Sequence, residues 1–199
     1  MPDTSVRAES VEAPSAGGAT DPGRRGSRPR VVIQTADFDL GAEVSALRGG
    51  DAGVGGVVAF VGTVRDRHLS HGEPAGSIQA MELEHYPGMT EAAIEAMVDQ
   101  AVQRFEIRAA RVIHRIGELQ PLDQIMMVAV TAAHRGQAFQ ACEFLMDYLK
   151  TQAPFWKKEQ TLSGARWVDA RSSDDAALAR WGIAAESNAP AAGPLEPHS

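Results

Sequence analysis

Cysteine occurs once in the 199 residues, at Cys142, which excludes a disulfide framework and a cysteine-rich zinc site. Long apolar runs are also missing. Nothing approaches the roughly 20 residues that a membrane-spanning helix needs. The opening stretch MPDTSVRAESVEAPSAGGATDPGRRGSRPR lacks the hydrophobic segment of a secretory signal, and Arg24-Arg25 is not followed by one either. Positive charge is in deficit. The formal net charge is −7, and from Val31 to Trp181 there are 14 Lys or Arg against 20 acids, a balance of −6. Such a body repels nucleic acid, so a general DNA or RNA binder is excluded and any positive patch needs a local cause. The composition predicts a soluble, reduced, cytoplasmic protein.

Large apolar side chains are scarce at both ends. Residues 1–29 and 183–199 are rich in Ala, Ser, Gly, Pro and charge and read as disordered tails. Residues 30–182, without a repeat or linker, read as one domain. RVVIQ predicts a short strand. Asp39 can cap a helix through LGAEVSALR that Gly49-Gly50 would end. GGVVAFVGTVR reads as a buried strand, SIQAMELEHY as an alternating one, and ARVIHRIGEL and DQIMMVAVTAA as two more. TEAAIEAMVDQAVQRF places Ile94, Met97, Val98, Ala101 and Phe105 on one helical face. GQAFQACEFLMDYLKTQA is a second long helix, with Phe139, Cys142, Met146 and Leu149 on one stripe and Pro154 as its stop. RWVDAR predicts a late strand, and Ser172 a cap for a last helix through Trp181. Strands and helices mix without strict βαβ order, which predicts an α+β fold.

Several candidate sites dissolve on inspection. Cys142 shares an apolar stripe and reads as core. His68 and His71 lie in a Gly-rich polar loop without an evident third ligand. Glu82 and Glu84 alternate on a strand as a solvated face. Cations at element ends are more informative. Arg65 emerges from a buried strand; His134-Arg135 precedes a helix start, a place suited to phosphate; Arg166 and Arg171 flank WVDA. In MDYLKTQAPFWKKE, Lys150, Lys157 and Lys158 sit among Tyr148, Phe155 and Trp156. Lysines lying along aromatic faces, with Lys150 favouring a helix C-terminus, are one reading. An anion held in a partly dry pocket is the other, and four cationic sites in a net-acidic body favour it.

FVGTVR, LEHYPGM, VIHRIGEL, VAVTAAHR, MDYLKTQAPFWKKE and RWVDAR, in this order over residues 31–181, closely resemble the large subunit of molybdopterin synthase. The resemblance implies the α/β hammerhead-type fold, a mixed antiparallel sheet packed with helices. It also implies a sulfurtransferase that adds two sulfurs to cyclic pyranopterin monophosphate and needs no cofactor. The sulfur would come from the C-terminal Gly-Gly thiocarboxylate of a small β-grasp partner, and the large subunit would be a homodimer within a heterotetramer. By the same resemblance Lys150 meets the carrier's C-terminus and Lys157 is the second catalytic lysine. Phe60, Arg65, His134, Arg135, Met146 and Arg171 would line the substrate or the tail. Lys158 has no role and is expected to be exposed. Asp66 stands where the family pattern has Asn after the arginine.

Two other classes fit the residues alone. A Schiff-base lysine lyase acting on a phosphorylated carbonyl compound would be trapped by borohydride. A non-catalytic binding module would hold a carrier or nucleotide and turn nothing over.

Overall fold

The computed structural model describes residues 28–65, 78–161, 164–168 and 180–182. The tails, Asp66, His68, His71, Arg171 and the helix expected from Ser172 lie outside the described residues, as does the side chain of Arg166.

The described strands form two four-stranded sheets. The first is ordered β1 (Val31–Gln34), β4 (Ala109–Arg115), β6 (Gln124–Ala132), β2 (Gly56–Thr63), with only the β1–β4 pair parallel. The second is ordered β5 (Gly117–Leu119), β3 (Ile78–His85), β7 (Phe155–Thr161), β8 (Gly164–Val168), all antiparallel. Helices α2 (Met89–Phe105) and α3 (Arg135–Thr151) cover one face of the first sheet, burying Ile94, Met97, Val112, Val128 and Leu145 in the main core. The short helix α1 (Leu40–Arg48) covers the other face over Ile113, Met127 and Ala129. Among the described residues no helix is long and apolar enough to cross a membrane.

Local chemistry sets the helix ends. The Asp39 carboxylate accepts from the Ala42 N–H at 2.8 Å, and Gly49 leaves α1 at φ 48°, a left-handed turn that glycine takes without Cβ strain. The stripe predicted on α2 is the buried one. That on α3 is displaced. Phe139 is 61% exposed, and Ala138, Ala141, Cys142, Leu145 and Leu149 face the sheet instead. Small alanines let the helix lie close to a broad sheet, while Phe144 packs edge-on against Phe105 and Trp181.

Three strand expectations change. ARVIHRIGEL is two strands, because Gly117 at φ 80° turns the chain out of the first sheet and into the second. β2 is an edge strand that projects beyond its helical cover, leaving Phe60 42% exposed rather than buried. FWKKEQT, for which no strand was predicted, is β7, the strand that joins β3 to β8.

Leu122 carries a local conflict. It sits at φ 79° in the turn between the sheets, its N–H bonded to Val64 O, with the side chain 88% exposed. A branched residue at positive φ costs roughly 1–2 kcal/mol, and an exposed side chain returns little burial energy in exchange. Leu122→Gly should therefore stabilise the protein by about 0.5–1 kcal/mol, allowing for glycine's greater freedom when unfolded. The midpoint of a urea titration, at unchanged slope, checks this.

Candidate functional site

The two sheets meet near the C-terminal end of α3, and the lysine-bearing segment crosses that meeting point. Lys150 lies exposed in the last turn of α3, a favourable place for a cation against the helix dipole. The helix stops before Pro154, and Phe155 opens β7. Side chains alternate along a strand, so Phe155 and Lys157 share one face while Trp156 and Lys158 share the other. The register identifies the faces. Lys157 pairs with Leu83 and Phe155 with His85, on the face that carries buried Met81 and Leu83. Lys158 pairs with Glu82, and Trp156 with Glu84, on the opposite face. Both lysines are half-buried, so the expectation that Lys158 is simply exposed is corrected. Its register position opposite a carboxylate explains the partial burial. Glu82 and Glu84 are half-buried as well, less open than a fully solvated face.

The inner face is tightly packed beside Lys157. The His114 imidazole stacks on the Phe155 ring, with centroids 3.8 Å apart and planes 16° from parallel. Its Nδ1 donates to the Arg115 carbonyl at 2.8 Å, since a carbonyl can only accept. Burial is the main cause that pushes its pKa down to about 4, which keeps the ring neutral at physiological pH. His85 Nε2 lies 3.5 Å from Glu91 Oε1 at the start of α2.

The other predicted site residues divide between two ends of the molecule. α3 follows β6 directly and packs back along β6 and β2, so its C-terminus lies toward the end of β2 where Arg65 emerges. Met146 is half-buried against the core one turn before Lys150. Phe60 pairs with Val128 and so lies on the α3 side of the sheet. Lys150, Lys157, Met146, Phe60 and Arg65 thus belong to one side and end. His134 and Arg135 do not join them. His134 is the N-cap of α3, where its N–H donates to Gln137 Oε1 at 3.3 Å, and Arg135 is the first helical residue. At about 1.5 Å rise per residue, Arg135 lies roughly 22 Å along the helix from Lys150. Both are exposed, at a helix N-terminus suited to an anion.

The only thiol is unsuited to chemistry. Cys142 is buried in the core, and burial alone pushes its pKa up to about 11. Cys142→Ser should cost roughly 1–2 kcal/mol of stability by burying a hydroxyl. Catalysis by the folded variant should remain near that of the unmodified chain. Thermal unfolding and turnover measured on the same sample separate the two effects.

An α+β body with a second sheet clasped to the end of a helix, and with lysines on both sides of the joint, defines the class: the hammerhead-type large subunit of a cofactor-building synthase. The chain belongs to the MoaE protein family, whose model matches residues 33–152. It is 59% identical over 164 residues to the molybdopterin synthase catalytic subunit of Ralstonia nicotianae, covering 82% of this chain and 90% of that protein. Among solved structures, the molybdopterin biosynthesis MoaE protein of Burkholderia ambifaria superposes with TM-score 0.66 at 58% identity, covering 78% of this chain and 99% of its own. Molybdopterin synthase from Staphylococcus aureus does so with TM-score 0.62 at 27% identity, over 69% and 96%.

Proposed function

We propose that the chain is the catalytic subunit of a molybdopterin synthase, a sulfurtransferase of molybdenum cofactor biosynthesis. It converts cyclic pyranopterin monophosphate to molybdopterin by moving two sulfurs from the C-terminal thiocarboxylate of a small carrier subunit. One observation carries the reading: two lysines bracket the joint between α3 and β7, in a chain whose sole thiol is buried and held protonated. The sulfur must then come from outside, and the cations must serve the substrate rather than a resident nucleophile.

In this reading Lys150, exposed at the helix end, meets the negative tail of the carrier. Lys157, on the inner face of β7, exchanges a proton with the pterin. Apolar Leu83 and Phe155 beside it limit water, which strengthens charge interactions in the site. Phe60, Arg65, Met146 and Arg171 line the pterin or the tail. His134 and Arg135 bind the substrate's phosphate from a second copy of the chain, because one copy holds them too far from its own lysines. We take residues 30–182 as the working domain and the cytoplasm as its compartment, consistent with a single unoxidised cysteine.

The purified chain mixed with a thiocarboxylated carrier and the pyranopterin should yield the dithiolene product. Omitting the carrier, or supplying it as the plain carboxylate, should yield none. Product formed by the chain alone would show that it holds a sulfur donor of its own and would sink the proposal.

A further inference from the structure

LEHYPGM was singled out in the sequence as highly specific, yet none of its residues has a part in the chemistry above. In the fold it is the end of β3 and the turn into α2, and the first turn of that helix faces the joint between α3 and β7. Thr90, fully buried, is the contact point. Its Oγ1 accepts from the Tyr86 N–H at 3.1 Å and donates to the Pro154 carbonyl at 3.2 Å. The next two residues of the joint are also held from this turn or beside it. Phe155 pairs with His85 and stacks on His114, while the Trp156 ring lies 5.5 Å from that of Tyr86. The turn itself is stiffened by Glu91, whose Oε2 accepts from the Gly88 N–H at 2.7 Å while Oε1 faces His85.

Lys150 and Lys157 sit on either side of this joint, one on a helix and one on a strand. Their separation depends on how the chain bends between them at Pro154. Proline has no N–H, so the ladder cannot fix that residue through its own donor, and its carbonyl is the group left to anchor. We propose that Thr90 is a positioning residue for the two lysines: by tying the β3–α2 turn to the Pro154 carbonyl, it fixes the bend that sets Lys150 against Lys157. The inference rests on the catalytic reading of those lysines. It gives the LEHYPGM turn a task in catalysis without placing it against the substrate.

Thr90→Val keeps the shape and removes the hydroxyl, leaving both the Tyr86 N–H and the Pro154 carbonyl without this partner. An error of about 1 Å in a catalytic group can cost up to 10²-fold, so a decrease in kcat of about 10-fold is expected with KM for the pyranopterin within about twofold. Thr90→Ser restores the hydroxyl and should recover kcat to within about threefold of the unmodified chain. A purely structural role predicts something else: a lower melting temperature for Thr90→Val, but normal kcat per folded molecule below that temperature. Turnover should be measured with saturating thiocarboxylated carrier, after circular dichroism has confirmed folding. Normal kcat in folded Thr90→Val, or no rescue by serine, would overturn the inference. Should Thr90→Val fail to fold, Tyr86→Ala decides in its place: its half-exposed side chain is dispensable for the core, its contact with Trp156 is not, and an unchanged kcat there overturns the inference equally. The unmodified chain and Lys157→Ala run alongside. If the former makes no product or the latter loses none, the catalytic reading fails and takes this inference with it. If those controls behave and only Thr90→Val is normal, the inference fails alone.

Discussion

Lys150→Ala and Lys157→Ala should each lower single-turnover product formation by roughly 10²-fold or more, the scale on which a placed acid–base or electrostatic group acts. Lys158→Ala should stay within a few-fold of the unmodified chain. All three substitutions remove one positive charge, so a diffuse field would affect them alike. The fold separates them. Lys157 shares its strand face with Phe155, Leu83 and the buried side of the second sheet, whereas Lys158 is carried to the other face opposite Glu82. Lys150→Arg should rescue poorly, because a guanidinium is wider, stays protonated and cannot act as a base near neutral pH. The measurement needs excess thiocarboxylated carrier and a check that every variant folds and binds it. Equal losses at the three positions would withdraw the separate roles of Lys150 and Lys157.

Residue pattern made some of this fold legible and left other parts hidden, for physical reasons. The α1 cap at Asp39 and the α2 core stripe were readable because capping and helical periodicity are local properties. The α3 stripe was misplaced because Phe139 looks like core by its chemistry, while the sheet surface accepts Ala138 and Ala141 instead. β7 was unreadable as a strand. Its alternation sets Phe155 and Lys157 against Trp156 and Lys158, so neither face is uniformly apolar and the usual period-two signal cancels. The aromatic pair at its start was the available clue, since aromatics favour strands. For the site, residue types and order pointed to the lysines and to cations at element ends. Distance could not be read. Nothing in the order of residues says that Arg135 and Lys150 occupy opposite ends of one helix, or that Thr90 reaches Pro154 across 64 positions.

That distance has a consequence for assembly. If His134 and Arg135 bind the same substrate that Lys150 and Lys157 transform, they must come from another copy, since a rigid helix holds the two groups roughly 22 Å apart in one chain. Two inactive variants should then complement each other. Lys157→Ala and Arg135→Ala, mixed and allowed to exchange subunits, form mixed dimers in which one site carries both lesions and the other carries none. Random exchange makes half the dimers mixed and restores one of their two sites, so activity should rise from background to about one quarter of the unmodified level. Lys150→Ala mixed with Lys157→Ala is the control. Both lysines belong to the same end of the same chain, every site in every dimer then lacks one of them, and activity should stay at background. Native mass spectrometry can confirm that mixed dimers have formed before turnover is read. Recovery in the control would mean that the two lysines serve different sites. Background activity in the first mixture, with mixed dimers present, would mean that His134 and Arg135 act outside the site that holds the lysines.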